Sequence, residues 1–79
     1  MIEVYLQPND DSNEFDCYHA VNDEFIQTLT AGDSFMLISD EEDEEIPGRI
    51  EYHPFHGYYW INSEDSIKRQ LTADMRGYI

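Results

Sequence analysis

The first 48 residues contain no lysine and no arginine, against fourteen Asp and Glu, and the first basic side chain is Arg49. From Arg49 onward, Lys68, Arg69 and Arg76 complete a set that balances Glu51, Glu64, Asp65 and Asp74. The formal net charge of −14 therefore belongs to the stretch before Arg49. A surface of this sign is repelled by nucleic acid and by anionic membranes, which leaves basic proteins and cations as the charged partners. Cys17 is the single cysteine, so no disulfide framework exists, and a cytoplasmic location follows as the expectation. The N-terminal residues lack a basic segment followed by an apolar one, as an export signal requires. The longest apolar run, Phe35-Met36-Leu37-Ile38, is far short of the roughly 20 residues of a membrane helix.

What is present is a folded composition. Six Tyr, four Phe and Trp60 in 79 residues exceed what an acidic disordered tail carries. Residues 1–79 read as one domain with a small core, in the size range where burial is marginal. Concentrating like charge on so small a body destabilises the compact state, and a domain that tolerates this either uses the field or keeps it for solubility.

Alternation with period two dominates the chain. Ile2, Val4 and Leu6 oppose Glu3, Tyr5 and Gln7 in a strand that ends at Pro8. Residues 9–13 are turn-forming, and Phe15, Cys17 and His19 then oppose Glu14, Asp16 and Tyr18, which predicts a hairpin with Cys17 inward. Residues 24–29 predict a strand, although Phe25, Ile26 and Leu29 also fit a helical turn. Strands are expected over 34–39, 49–53, 58–61 and 75–79, with the acidic run 40–45 as a loop or frayed end. Ser63-Glu64-Asp65 is read as the cap of one helical turn through Leu71. The expected fold is all-β, or β-rich with one short helix: a small antiparallel barrel or strongly bent sheet of five to six short strands.

From Leu29 to Ile79 the order of motifs resembles a family of small, uncharacterised bacterial β domains. It comprises Gly32-Asp33-Ser34-Phe35, Ile46-Pro47-Gly48-Arg49-Ile50-Glu51, Gly57-Tyr58-Tyr59-Trp60-Ile61 and Met75-Arg76-Gly77-Tyr78-Ile79. The acidic run ending Glu44-Glu45 replaces the Lys-Trp type of pair that the family usually has there. The resemblance implies an all-β fold and no known activity. In size and charge alone, the chain also resembles the phage-encoded inhibitors that imitate DNA, of the anti-CRISPR, anti-restriction and uracil-glycosylase inhibitor types.

The carboxylates give the sharpest functional expectation. Residues i and i+2 of a strand lie about 6.6 Å apart on one face, and duplex DNA carries one charge per about 1.7 Å of axis. Glu14 and Asp16, extended by Asp23, Glu24 and Asp33 and by the run Asp40, Glu41, Glu42, Asp43, Glu44 and Glu45, form a candidate acidic ridge. Such a ridge fits a Lys/Arg groove built for phosphate, with Tyr52, Phe55 or Tyr58 as an interface anchor. The expected function is a non-enzymatic inhibitor, phage- or mobile-element-encoded, that blocks the nucleic-acid cleft of a CRISPR effector or restriction enzyme. The alternative is an interaction module whose acidity serves solubility.

Other chemistries find less support. Loops starting at Asn9 or Asp40 both lack the glycine that a calcium-binding EF-hand needs at position 6. Cys17, His19, His53 and His56 offer four zinc-ligand types, but without the paired spacing of a structural site. No serine sits in a nucleophile-elbow context, and no cofactor motif is present.

Overall fold

The computed structural model describes residues 1–41 and 43–79, so Glu42, one of the acids in the candidate ridge, lies outside the described residues. It is all-β, with nine short strands and no helix among the described residues. They are β1 (Glu3–Pro8), β2 (Phe15–His19), β3 (Phe25–Thr28), β4 (Met36–Ile38), β5 (Glu45–Ile46), β6 (Gly48–His53), β7 (Gly57–Asn62), β8 (Lys68–Gln70) and β9 (Arg76–Tyr78). A six-stranded antiparallel sheet has the order β3-β2-β1-β9-β4-β5, and a three-stranded one the order β6-β7-β8.

A single bent hairpin joins the two sheets. Leu37 pairs with Ile46 and Ile38 with Glu45 in the large sheet, while Ser34 pairs with Arg49 beside the small one. All three pairs keep one register, so the ladder continues through a corner at Phe35-Met36 on one side and Pro47 on the other. Backbone bonds from Phe35 N to Gly48 O (3.0 Å) and Ile50 N to Asp33 O (2.8 Å) hold its lower half. A proline suits the corner because it donates no ladder bond there. The fold is all-β as expected, but with nine short strands in two antiparallel sheets instead of five to six in one barrel or bent sheet; among the described residues no closed barrel forms.

The core fills the bend. Val4, Leu6, Cys17, Leu29, Phe35, Leu37, Ile50, Trp60 and Leu71 are buried together. Of the residues that alternation sets inward in the first hairpin, Val4, Leu6 and Cys17 are fully buried and Phe15 packs against the core, whereas Ile2, just before β1, is exposed. The Trp60 indole N–H donates to the Phe35 carbonyl at 2.8 Å, so the largest buried ring also satisfies a corner carbonyl. Two glycines make this packing possible. A Cβ on Gly48 would strike the Trp60 ring, and one on Gly77 the Phe35 ring.

The expected helical turn after Ser63 is a β-turn hairpin instead. Asn62 Oδ1 accepts from Glu64 N at 2.8 Å, Asp65 Oδ1 accepts from Ile67 N at 2.9 Å, and Ser66 sits at φ 63°. Short polar side chains serve turn amides as readily as helix caps. The apolar pair that would have made a helix face is split: Leu71 is buried, but Ile67 is exposed and leads into β8. Between residues 24 and 29 the strand prevails over the helix. A bulge opposite Cys17/Tyr18 sends Ile26 toward the core and leaves Phe25 and Thr28 on the outer face.

Candidate protein-interaction surface

Asp40, Glu41, Asp43 and Glu44 lie at the tip of the β4–β5 hairpin, and Glu45 opens β5. Ser39 N donates to Glu44 O at 2.8 Å and Asp43 N to Ser39 O at 2.9 Å, with Asp43 at φ 51°. Asp is among the few residues that tolerate this left-handed conformation. Asp40, Glu41, Asp43, Glu44 and Glu45 are all exposed. Arg76 on β9 faces them: it lies 3.5 Å from Asp43, 4.0 Å from Asp40 and, on its other side, 4.0 Å from Glu3. These are long, solvated contacts of the kind that orient side chains more than they stabilise a fold.

The remaining acids of the expected ridge divide by what they touch. Asp16 accepts from Thr28 Oγ1 at 2.7 Å, Asp33 from Thr30 N at 2.9 Å, and Asp23 from the Tyr5 hydroxyl at 2.7 Å. Glu14 accepts from Ser12 Oγ at 3.1 Å within the β1–β2 turn. Glu24 is exposed beside β3. Several of these acids therefore hold turns and strand pairs as well as contributing charge.

The outer face of the six-stranded sheet brings together residues that the sequence reading did not join. Phe25 pairs with Tyr18, Tyr18 with Tyr5, and Tyr5 with Arg76, so one row crosses β3, β2, β1 and β9. Tyr5 and Tyr18 stack at 5.7 Å between ring centres, and Phe25 meets Tyr18 edge-on at 6.0 Å. A second row runs Glu3, Tyr78, Met36. Along the third, Asp16 pairs with Gln7, whose amide donates to Asp74 at 2.6 Å. The hydrogen bond to Asp23 and partial burial raise the Tyr5 phenol above its ordinary range. Burial and the charge of Glu3 raise Tyr78 likewise. The signal for Tyr5 and Tyr18 lay in the alternation, which sets both outward on neighbouring strands.

The three-stranded sheet carries the proposed anchors and most of the cations. Tyr52 is 49% exposed and Phe55 90% exposed, on β6 and the β6–β7 turn. Tyr58 is half-buried, 4.9 Å from Tyr52 and packed against the core. These anchors thus sit on a different sheet from the acidic hairpin tip. Lys68 Nζ lies 5.5 Å over the Tyr59 ring, beside an open groove of about 290 Å³ whose walls include His53, His56 and Arg69. The zinc-type ligands are divided between the sheets: Cys17 and His19 are on β2, whereas His53 and His56 lie 4.6 Å apart between ring centres, tilted by 30°, by the β6–β7 turn. The Cys17 thiol is buried, and burial, with smaller effects from Asp16 and Asp33, pushes its pKa up to about 12. No helix of the described residues is long and apolar enough to cross a membrane.

No curated protein and no solved structure matches the chain. A family-model match agrees with an uncharacterised small β family and reaches further toward the N-terminus than the resemblance seen over residues 29–79. Residues 4–79 match the family described as a domain of unknown function (DUF5348), and the chain belongs to that family.

Proposed function

We propose that this protein is a non-catalytic binding module whose acidic six-stranded sheet docks on a cationic surface of another protein. The carrying observation is the segregation of charge. The segments 1–46 and 71–79 hold fifteen carboxylates and one cation, Arg76, while residues 47–70 hold three of each sign. A field of that asymmetry steers a basic partner toward one side of the molecule and accelerates association at low salt. The partner class that best fits is a protein with a Lys/Arg cleft for nucleic acid, such as a bacterial defence nuclease, met in the cytoplasm. Inhibition then follows from occupancy: a carboxylate surface in a phosphate groove excludes the nucleic acid. A second reading, that the acidity serves solubility, draws on Asp16, Asp23 and Asp33, whose carboxylates accept bonds that hold turns and strands.

The test replaces the six acids of 40–45 by Asn and Gln and measures binding to a partner captured from bacterial lysate, with and without excess DNA. The expected outcome is slower association, a shallower salt dependence and competition by DNA. Unchanged affinity and salt dependence, with lower solubility, supports the second reading instead.

A further inference from the structure

Among the described residues no second sheet packs on the outer face of the six-stranded sheet, yet that face is not uniformly polar. Its middle row is Phe25, Tyr18, Tyr5 and Arg76, and continuing the β4–β9 register by one residue places Ile38, which is buried, at the closed end of the row beside Arg76. Phe25 is 57% exposed, and Val21, in the β2–β3 turn, is 86% exposed. Tyrosine, phenylalanine, methionine and arginine are the residue types enriched at protein interfaces, and a cluster of them surrounded by a polar rim is the usual layout of a docking patch. Here the surround is acidic: Glu3, Asp16, Asp23 and Asp74 flank the middle row.

We infer that this aromatic row is the contact surface of the module, and that its occupant is an arginine- or lysine-rich surface of a partner protein. The inference rests on the binding reading above and supplies what charge alone lacks, a place with shape and apolar area. Charge complementarity selects the occupant. A guanidinium or ammonium gains from an aromatic face and from a neighbouring carboxylate together, and the row offers both, with Asp23 held at the Tyr5 hydroxyl. Nucleic acid is repelled by the same acids. A second copy of the chain brings the same net charge of −14 against its own, so self-association is opposed. The two-dimensional spread of the row over four strands suits a protein surface better than a small molecule, which needs a concave site.

The experiment titrates the isotope-labelled protein with an octa-arginine peptide and follows amide and aromatic resonances at ordinary salt. Shifts concentrated on Tyr5, Tyr18, Phe25 and Tyr78 are expected, with affinity falling roughly tenfold in Phe25→Ser and in Tyr18→Ala. Phe25 is exposed, so F25S keeps the test valid should Y18A disturb the sheet. Gln27→Ala, an exposed neighbour on β3, is expected to bind as the parent does. Shifts confined to the 40–45 hairpin, with affinity indifferent to F25S, overturn this inference while leaving the electrostatic reading intact. Absence of binding at ordinary salt overturns both. Sedimentation of the protein alone completes the test: a dimer abolished by F25S assigns the face to a second copy and contradicts the inference.

Discussion

The two sheets share one core but have opposite surfaces. The six-stranded sheet carries carboxylates, an aromatic row and the lone Arg76, whereas the three-stranded sheet carries balanced charge, two neighbouring histidines and a lysine over a tyrosine. Both surround Phe35 and Trp60, and the bent hairpin runs through both. Interior and exterior are thus under separate control. Core positions are fixed by volume and register, while the surface of each sheet is free to acquire its own electrostatic character. The difference gathers the unusual charge on one sheet at a cost in self-repulsion, and that sheet is the one the proposed partner would meet.

The sharpest way to break the comparison is to strike each sheet at the glycine that admits a core ring. Gly77→Ala in the large sheet and Gly48→Ala in the small one both force a methyl into an aromatic ring and nearby backbone. Each is expected to cost about 1–3 kcal/mol or more, a large share of the stability of so small a domain. A thermal melt should show one transition at lower temperature for either variant. A Gly48→Ala protein whose large sheet stayed protected against hydrogen exchange would show that the two sheets are independent units.

A smaller effect separates core from surface by pH. The Cys17 thiol is held neutral to about pH 12 in the folded chain, above its ordinary value of 9.0. Below pH 9 it is protonated in both states and its contribution is fully present. Between pH 9 and 12 the unfolded thiol ionises first, binds fewer protons than the folded one, and stability falls. The raised Tyr5 and Tyr78 phenols act in the same direction in the alkaline range. Stability measured from pH 8 upward should decline less steeply in Cys17→Ala than in the parent, and iodoacetamide at pH 8 should label the parent only as fast as it opens.

The smallest expected effect concerns the cations. Arg76→Gln removes long, solvated contacts to Asp40, Asp43 and Glu3 and should cost less than about 1 kcal/mol at ordinary salt. Its signature is in the salt dependence: melting temperature should rise more steeply with added sodium chloride than in the parent, because the large sheet has lost its one cation. Lys68→Gln on the small sheet should leave that slope nearly unchanged. Equal slopes for the two variants would mean that the field is spread over the whole molecule.

Most of the fold was legible because the chain alternates cleanly. Val4, Leu6 and Cys17 were set inward and Tyr5 and Tyr18 outward by period two alone, and residues 9–13 were recognisable as a turn by their side-chain acceptors. Ser63–Asp65 misled because Asn62 and Asp65 satisfy turn amides in the same way that a cap satisfies helix amides. The corner at Pro47 was hidden for a different reason. It depends on the pairing of 34–38 with 45–49, a register that no local pattern specifies. The candidate surface was half legible. The acids were visible as composition, but the row from Phe25 to Arg76 exists only once β9 inserts beside β1, bringing residues 5 and 76 together.

The central claim, that the six-stranded sheet and not the small one receives a cationic partner, is tested most directly by matched neutralisation. One variant replaces Asp23, Asp40 and Glu44 by their amides, the other Glu51, Glu64 and Asp65, so both lose three charges. Association with the octa-arginine peptide is then followed by stopped flow from low to moderate salt. The expected result is a several-fold slower association and a flatter salt dependence for the first variant, with the second close to the parent. Equal slowing in the two variants would contradict the claim.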